Sequence, residues 1–288
     1  MSVYLAHSYV ACKRLSRRSS SSFPYAFLLL PRAKRRAMYA LYAFLRRTDD
    51  LADSLLDVET RRSQLRAWRA ALVSAVDGQS DEELLPALVD AVRRYDIPLS
   101  CLESVIDGVE MDLDRCSYAT AAELEQYCYR VASCVGIACM HIWGVRREGS
   151  DAAAHACGLA FQWTNILRDV RADALSGRVY LPEEDLRQFG CTKEDLLTDP
   201  PTDRFRELMM FEVARAEGYF QEGAELSRSL AADGQRVFAA LLATYRGLLA
   251  EIKRRPGDVL STRVGLSRWR KLRILTGLLL SRRPAGAI

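Results

Sequence analysis

Apolar side chains recur every three or four residues along most of the chain, whereas sustained alternation of apolar and polar residues is nearly absent. The first pattern is that of helices with one buried face, and the second would indicate half-buried strands. Ser80 with Glu83 and Thr120 with Glu123 match the capping box that begins a helix. The spacing predicts helices near residues 32–54, 59–76, 81–94, 98–113, 120–143, 150–174, 204–231, 235–253 and 266–280. The sequence therefore predicts an all-α fold.

The breaks between these predicted helices are short. RRSSSSFP at 17–24 and LTDPPTD at 197–203 have the composition of loops, but neither is long enough to join independent domains. No internal repeat of fixed period is present. We therefore expect a single domain over residues 1–288, with 1–16 and 281–288 as peripheral tails.

Composition and charge narrow the function. The 288 residues are 49% hydrophobic and 27% charged with a net charge of +4, a globular composition that does not favour nucleic acid as a partner. The sequence contains no run of ~18 consecutive apolar residues, the length that would predict a membrane span, and its N-terminus lacks a signal-peptide pattern. Eight cysteines without a C-x-x-C pair are typical of reduced thiols. We expect a cytoplasmic protein, and the basic C-terminal region is either a solvated face or a site of peripheral membrane contact.

Two columns of oxygen-bearing side chains stand out within apolar helical segments. Asp49 and Asp53 share one helix face, and Asn165, Asp169 and Asp173 share another, because each member is four residues from the next. A single such pair is more often a solvated face. Two columns in apolar surroundings instead favour a site with oxygen ligands only, which suits Mg²⁺ or Mn²⁺ rather than zinc.

Neighbouring residues point to a phosphorylated, apolar ligand. Arginines accompany both columns, at 46 and 47 and at 168 and 171, and their guanidinium groups suit phosphate oxygens, although some of them could pair only with the aspartates. FPYAFLLLP and YCYRVASCVGIACMHIWG combine aromatic with small residues, which indicates either close helix packing or space for a ligand. Beside a diphosphate site, an apolar channel indicates a prenyl diphosphate substrate.

These motifs resemble those of a known family. YAFLRRTDDLAD and FQWTNILRDVRADALSGRVYLP are similar to the two aspartate-rich motifs of the squalene/phytoene synthase family, and SSSSFPYAFLLLP and YCYRVASCVG have counterparts there. The similarity extends over roughly residues 17–275. The resemblance implies an isoprenoid-synthase-like helical bundle with a central cavity. It also implies a Mg²⁺-dependent prenyltransferase that joins two prenyl diphosphates head to head through a cyclopropyl diphosphate.

The resemblance also implies roles for individual residues. The metal ligands would be Asp49, Asp53, Asn165, Asp169 and Asp173, with Asp50 as a lesser ligand. The catalytic group would comprise the four aspartates with Tyr42 and Tyr245. Substrate would contact Ser19, Ser20, Ser21, Ser22, Phe27, Tyr42, Arg46, Gln162, Asn165, Arg168 and Tyr245. The family's C-terminal basic residue corresponds to Arg268 or Arg270.

The exact product stays open at this point. Phe27 and Tyr39 would floor the channel, which favours farnesyl diphosphate (C15) and a C30 product such as presqualene diphosphate, dehydrosqualene or squalene. The alternative is a phytoene synthase that uses two geranylgeranyl diphosphates (C40), and a terpene cyclase or an inactive scaffold is more remote. The sequence has no G-x-G-x-x-G motif that would indicate NADPH binding, but a family member that reduces its product need not have this motif. Downstream isoprenoid enzymes are candidate partners.

Overall fold

The computed structural model describes residues 3–18, 23–114, 116–145, 149–267, 269–270, 273–274 and 276–277. The α-helices are α1 Val3–Arg18, α2 Phe23–Ala26, α3 Arg32–Ala52, α4 Val58–Val76, α5 Leu85–Tyr95, α6 Leu99–Asp114, α7 Ala121–Cys128, α8 Cys134–Trp143, α9 Asp151–Leu175, α10 Glu183–Gln188, α11 Asp203–Ala224 and α12 Ala232–Arg254. No strand occurs within these ranges, where only two isolated bridges form. The all-α prediction is confirmed. The single-domain prediction stays a prediction.

Most predicted helices begin and end within a few residues of the observed ones, but the helix predicted at 81 begins at Leu85. Ser80 does not cap it, because the Ser80 hydroxyl accepts a hydrogen bond from the Glu82 amide instead. Pro86 lies in the first turn, where its fixed φ favours helix initiation. At α7 the prediction is confirmed, since Thr120 Oγ1 accepts a bond from the Glu123 amide at 3.2 Å.

The helix predicted over 120–143 contains a π-helical turn, Tyr129–Ser133, between α7 and α8. Two glycines let neighbouring helices approach this turn closely. A Cβ at Gly158 of α9 would lie 2.5 Å from the Ser133 Cα, and a Cβ at Gly108 of α6 would lie 2.6 Å from Val131 Cγ1. Only glycine fits such contacts, so part of the small-residue pattern serves backbone packing. π-Turns of this kind are frequent at functional sites.

The expectation of a peripheral N-terminal tail was wrong for the residues that the structure describes there. Helix α1 packs against α3 and α5, and it buries Tyr9 and Cys12. The Tyr9 hydroxyl donates to Asp90 Oδ2 at 2.6 Å, and the Ala87 amide donates to the Ser8 hydroxyl. Residues 281–288 and part of the helix predicted over 266–280 lie outside the described residues.

Two large apolar clusters form most of the core; α3 contributes to the first, and α9 contributes to both. One cluster joins α1, α3, α4, α5 and α8, and the other surrounds α9 and α11. Seven of the eight cysteines are buried, Cys116 is exposed, and all are free thiols, as predicted. Within the described residues, no helix combines the length and the apolar character that a membrane span requires.

Candidate active site

A cavity of about 310 Å³ lies between α3 and α9. Helix α3 lines it with Met38, Leu41, Tyr42, Leu45, Arg46 and Asp49, and α9 lines it with Ala154, Cys157, Gly158, Phe161, Gln162 and Asn165. Each set follows one helix face over twelve residues, about 16 Å of helix length. On both helices the early residues are apolar and the later ones polar. The cavity is therefore an apolar channel with one polar end.

The two acidic columns meet at this polar end. Asp49 and Asn165 line the same cavity, and Arg178, which follows α9, lies 3.7 Å from Asp53 at the end of α3. Asp53 is solvent-exposed, with 68% of its side chain accessible, and Asp49 is also exposed, whereas Asp169 and Asp173 are half-buried. One end of each column thus lies at the same end of the cavity, and the assignment of all five residues to one metal site stays a prediction.

Asp112 on α6 is a carboxylate at this site that the sequence analysis missed. Its two oxygens accept hydrogen bonds from the Tyr127 and Tyr180 hydroxyls, each at 2.8 Å. Burial raises the pKa of Asp112, although the two hydroxyl donors oppose the shift. Nothing local in the sequence indicated this carboxylate. Its partner Tyr180 belongs to the GRVYLP motif, but Asp112 lies 68 residues earlier in the chain. We call Asp49, Asp53, Asp112, Asp169 and Asp173 the acidic mouth.

Negative charge in the acidic mouth is only partly compensated. Burial raises the pKa of Asp49 to about 7, and the charges of Asp53 and Asp112 add to the shift. Burial also raises the pKa of Asp173 to about 7, with contributions from Asp169 and Asp112. Among the described residues, neither carboxylate has an ion pair. Because Asp112 affects both, the two columns share one electrostatic environment.

Asp169 differs because two arginines hold it. Arg168 Nε donates to Oδ1 at 3.0 Å, and Arg263 Nε donates to the same atom at 2.9 Å. Burial opposes ionisation of Asp169, but the arginines outweigh it and lower its pKa. Arg263 lies on the segment that follows α12. Among the described residues of this C-terminal segment, it is the one that contacts Asp169. Arg270 instead binds Glu251 at 2.6 Å, and Arg268 lies outside the described residues.

The remaining predicted polar residues fall into three groups. Gln162, Asn165, Tyr42, Arg46 and Tyr245 line the cavity. The Asn165 amide donates weakly to Gln162 Oε1 at 3.4 Å, whereas its own Oδ1 is buried with no partner in the described part of the chain. Asp50 pairs with Arg46 at 2.6 Å, and Arg171 donates to the Leu260 carbonyl rather than to the cavity. Ser19 to Ser22 lie outside the described residues.

Aromatic rings line the apolar part of the cavity. The Phe161 ring stacks on Tyr245 with centroids 4.1 Å apart, and Phe23 meets Tyr245 edge-on at 5.9 Å. Phe27 lines the cavity wall, but Tyr39 packs behind Phe27 at 5.7 Å and does not line the cavity. The expectation that Tyr39 floors the channel was therefore wrong.

Trp143 and Phe238 contribute two further aromatic side chains to the cavity wall, with ring centroids 6.4 Å apart. The Trp143 carbonyl accepts a hydrogen bond from Lys34 of α3 at 2.7 Å. The apolar wall thus includes aromatic side chains from several helices.

The donor set fits a divalent cation in its chemistry. No three acidic, histidine or cysteine side chains among the described residues converge on one preformed metal position. However, Asp49 and Asp173 form no ion pair among the described residues, and the buried Asn165 Oδ1 has no partner there. Oxygen donors left uncompensated on opposite walls suit an ion that other ligands, such as diphosphate oxygens, help to coordinate. The two predicted columns are the residues that could hold it.

Comparison with known proteins places the chain in a family. The family profile described as squalene/phytoene synthase matches residues 16–270. The chain is 36% identical to the 15-cis-phytoene synthase of Synechococcus elongatus over 280 residues, 93% of this chain and 91% of the relative. It is 35% identical to the phytoene synthase of Mycobacterium tuberculosis over 280 residues, 96% of this chain and 92% of the relative.

Solved structures agree with this assignment. A dehydrosqualene synthase in complex with ligand superposes with a TM-score of 0.87 at 28% identity, covering 96% of each chain. The squalene synthase of Alicyclobacillus acidocaldarius superposes with a TM-score of 0.82 at 29% identity, covering 88% of this chain and 96% of the other. The match extends over nearly the whole chain in sequence and in fold, and the protein belongs to the squalene/phytoene synthase family.

Proposed function

We propose that this protein joins two molecules of geranylgeranyl diphosphate head to head and forms a C40 hydrocarbon, phytoene. At the level of the family, the chain is a divalent-metal-dependent prenyltransferase for head-to-head condensation. The C20 substrate is favoured by the curated relatives, which are named phytoene synthases. This reverses the C15 preference that Phe27 suggested.

One observation carries the reaction class: one end of each acidic column lies at the polar end of an apolar cavity. The polar end suits a metal-bound diphosphate, and the greasy walls suit a prenyl chain. The apolar wall, to which Phe27, Trp143 and Phe238 contribute, suits a long prenyl chain.

The residues proposed to hold Mg²⁺ are Asp49 and Asp53 on one wall and Asn165, Asp169 and Asp173 on the other. When bound, Mg²⁺ supplies positive charge that stabilises the leaving diphosphate. The protein adds cationic groups of its own at the same end, because Arg46 lines the cavity and Arg168, Arg178 and Arg263 surround the columns. Ser19 to Ser22 remain predicted diphosphate contacts.

After diphosphate leaves, the first substrate is an allylic cation. The double bond of the second substrate attacks it, and loss of a proton closes a cyclopropane ring. A second ionisation rearranges this ring, and loss of a further proton gives phytoene without a reductant. The walls formed by Phe161, Val135 and Leu45 keep water from both cations.

Tyr245 is better suited to stabilise a cation than to remove a proton. Burial raises its pKa, so the hydroxyl keeps its proton at neutral pH. Its ring lies on the cavity wall, stacked with Phe161, where an aromatic face can attract a carbocation. We therefore assign the proton to the released diphosphate, with Tyr42 as the remaining side-chain candidate.

The test is a product analysis with purified protein. Incubation with MgCl₂ and either farnesyl or geranylgeranyl diphosphate, with and without NADPH, should give a C40 product from the C20 substrate in both conditions. The extracts are analysed by liquid chromatography and mass spectrometry. A C30 product formed preferentially from farnesyl diphosphate would instead support the dehydrosqualene or squalene alternative, which the solved relatives at 28% and 29% identity represent.

A further inference from the structure

Two buried thiols lie together where α6 packs against α8. Cys101 is in the first turn of α6, Cys134 is the first residue of α8, and with Val105 they form a small cluster of their own. Their exposed fractions are 7% and 2%. The Cys101 thiol and the Cys134 sulfur are joined by a hydrogen bond, so the two sulfur atoms point towards each other. A disulfide needs the same orientation.

The backbone of α6 is held close to the segment that leads into α8. A Cβ at Gly108 would lie 2.6 Å from Val131 Cγ1 and 2.9 Å from Arg130 Cβ. Gly108 follows Cys101 by two helical turns on the same face of α6. Val131 precedes Cys134 by three residues. The glycine contact and the thiol contact thus belong to one interface, whose close packing keeps the two thiols in register.

The surroundings of Cys134 favour its thiolate form. The hydrogen bond from Cys101 lowers the pKa of Cys134 to about 7, and burial opposes this shift. Hydrogen bonds from the Ser104 and Tyr129 side chains and the charge of Arg130 lower it further. Tyr129 and Arg130 are exposed, so the thiol pair lies directly beneath the protein surface. A thiolate close to solvent is the form of cysteine that peroxide oxidises.

We propose that peroxide converts Cys101 and Cys134 into a reversible disulfide that joins α6 to α8 and slows the condensation. The Cys134 thiolate attacks one oxygen of hydrogen peroxide and becomes a sulfenic acid, and hydroxide leaves. The Cys101 thiol then attacks this sulfur, and the S–O bond breaks as water forms. In total, two thiols lose two protons and two electrons, and one peroxide becomes two molecules of water. Dithiothreitol reverses the reaction by two thiol–disulfide exchanges.

The disulfide connects two walls of the cavity. Val105 of α6 and Val135 of α8 both line the cavity. Val105 follows Cys101 by one helical turn, and Val135 comes directly after Cys134. A change in the spacing of the two thiols is therefore transmitted to both walls, because close-packed helices move as units.

The expected effect on turnover rests on the proposed function. The cavity of about 310 Å³ is near the lower limit of the ~300–1,000 Å³ found for sites that take one drug-sized ligand. Two C20 chains are larger than one such ligand, so their entry requires the walls to separate. A disulfide opposes this separation, because its S–S bond is about 2.05 Å long, whereas non-bonded atoms lie about 3.5–4.0 Å apart. The reduced pair leaves the walls free to move.

The experiment uses the full chain with the substitution Cys116→Ser, which removes the exposed thiol that could join two copies. Reduced protein is treated with hydrogen peroxide, denatured, alkylated with iodoacetamide and analysed by mass spectrometry. Because eight cysteines less Cys116 leave seven, reduced protein should take up seven alkyl groups and oxidised protein five. Peptide mapping should find one cross-link, between Cys101 and Cys134.

Two further measurements report what the cross-link does. Oxidation should raise the melting temperature by about 4–8 °C, because a disulfide restricts the unfolded chain. It should slow the condensation at least ~10-fold, the size of effect that a displacement of about 1 Å near a reacting substrate can have. Dithiothreitol should restore both values.

Single variants in the same background separate the pair from general oxidation. Cys101→Ala and Cys134→Ala should form no cross-link, and peroxide should leave their melting temperatures and rates unchanged. Their reduced forms should condense substrate at the parent rate, which also verifies that they fold. Cys191→Ala is the matched control, because Cys191 is a free thiol with the same 7% exposure as Cys101. It should respond to peroxide like the parent protein.

Three results would overturn the proposal: no cross-link between Cys101 and Cys134, a cross-link that leaves turnover unchanged, or a loss of turnover that persists in Cys134→Ala. The mass analysis needs no substrate and so keeps this inference distinct from the proposed function. A protein that forms the cross-link reversibly but gives no condensation product in either state would contradict the proposed function and leave the disulfide standing. A protein that condenses the C20 substrate but forms no cross-link would do the reverse.

Discussion

The acidic mouth and a second, buried group of acids differ in how their carboxylates are compensated. In the second group, which we call the Arg215 cluster, Arg215 Nη1 donates to Asp185 Oδ2 and to Glu212 Oε2, each at 2.7 Å. Trp163 also donates to Glu212 Oε2 at 2.8 Å. Each carboxylate in the Arg215 cluster thus has an internal cation. In the acidic mouth, Asp49 and Asp173 form no ion pair among the described residues, and only the more distant charges of arginines such as Arg46 and Arg178 favour their ionised forms.

This difference separates a structural site from a binding site. A buried charge is costly unless another group compensates it. The Arg215 cluster is compensated within the fold, and it ties α10 to α11. The acidic mouth is left with excess negative charge next to a cavity, so the compensating charge has to come from outside the protein. Substitutions in the two places should therefore have opposite effects on stability and activity.

The largest expected effect is the loss of activity when charge is removed from the acidic mouth. Asp49→Asn and Asp173→Asn should each lower the rate of condensation by about 10²–10³-fold, because electrostatic contributions at active sites have this size. Neither variant should lower the free energy of unfolding of the metal-free protein, since neither carboxylate has an ion pair to lose among the described residues. Initial rates with MgCl₂ and urea denaturation in EDTA measure the two quantities. Near-normal rates would exclude these aspartates from the site.

The Arg215 cluster should show the reverse pattern. Arg215→Met leaves Asp185 and Glu212 buried without their cation and should lower the free energy of unfolding by about 3–5 kcal/mol at pH 8. Folded variant protein should keep most of its condensation activity, because the cluster does not line the cavity. Urea denaturation followed by circular dichroism measures the loss. A loss below about 1 kcal/mol would mean that Arg215 contributes little compensation.

The pH dependence of stability refines this comparison. Burial raises the pKa of Glu212 to about 7, even though Arg215 opposes the shift. A free glutamate titrates near about 4.3, so between these values the unfolded chain releases its proton first and stability falls as pH rises. Below about 4.3 the contribution of the neutral Glu212 is complete, and it is lost as pH rises through 7.

Glu212→Gln removes this titration while retaining an oxygen acceptor for Trp163. The difference in unfolding free energy, variant minus wild type, should therefore increase by about 2 kcal/mol from pH 5 to pH 8. Urea titrations at the two pH values measure it. The use of a difference cancels the contributions of the other buried acids. A pH-independent difference would show that Arg215 holds Glu212 ionised throughout this range.

The sequence predicted the two sides of the cavity because their residues are periodic. Helix α3 has a strong amphipathic pattern, and the acidic columns of α3 and α9 are local features that a single stretch of sequence displays. Helix α1 was missed because its buried face includes Ser8, Cys12 and Ser16, which lower the apolar contrast between its faces. Its stability comes from tertiary contacts with α3 and α5 instead.

Two site residues had no local signal. Asp112 has no acidic residue three or four positions away, and its hydrogen-bond partners Tyr127 and Tyr180 lie 15 and 68 residues further along the chain. Arg263 follows a turn rather than a helix, and it reaches Asp169 across 94 residues of sequence. Such pairings depend on how helices and loops assemble, which spacing along the chain does not encode.

The smallest expected effect is the most direct test of where the acidic mouth obtains its compensating charge. MgCl₂ with inorganic diphosphate should raise the melting temperature of the wild-type protein by about 3 °C, since a ligand at ten times its Kd adds about 1.4 kcal/mol to the stability of a chain of this size. Glu212→Gln should show the same shift, because the Arg215 cluster already contains its cation. Asp49→Asn and Asp173→Asn should lose most of it. Equal shifts in all three variants would mean that the acidic mouth is no more dependent on an external cation than the Arg215 cluster, and the distinction between a structural and a binding site would fail.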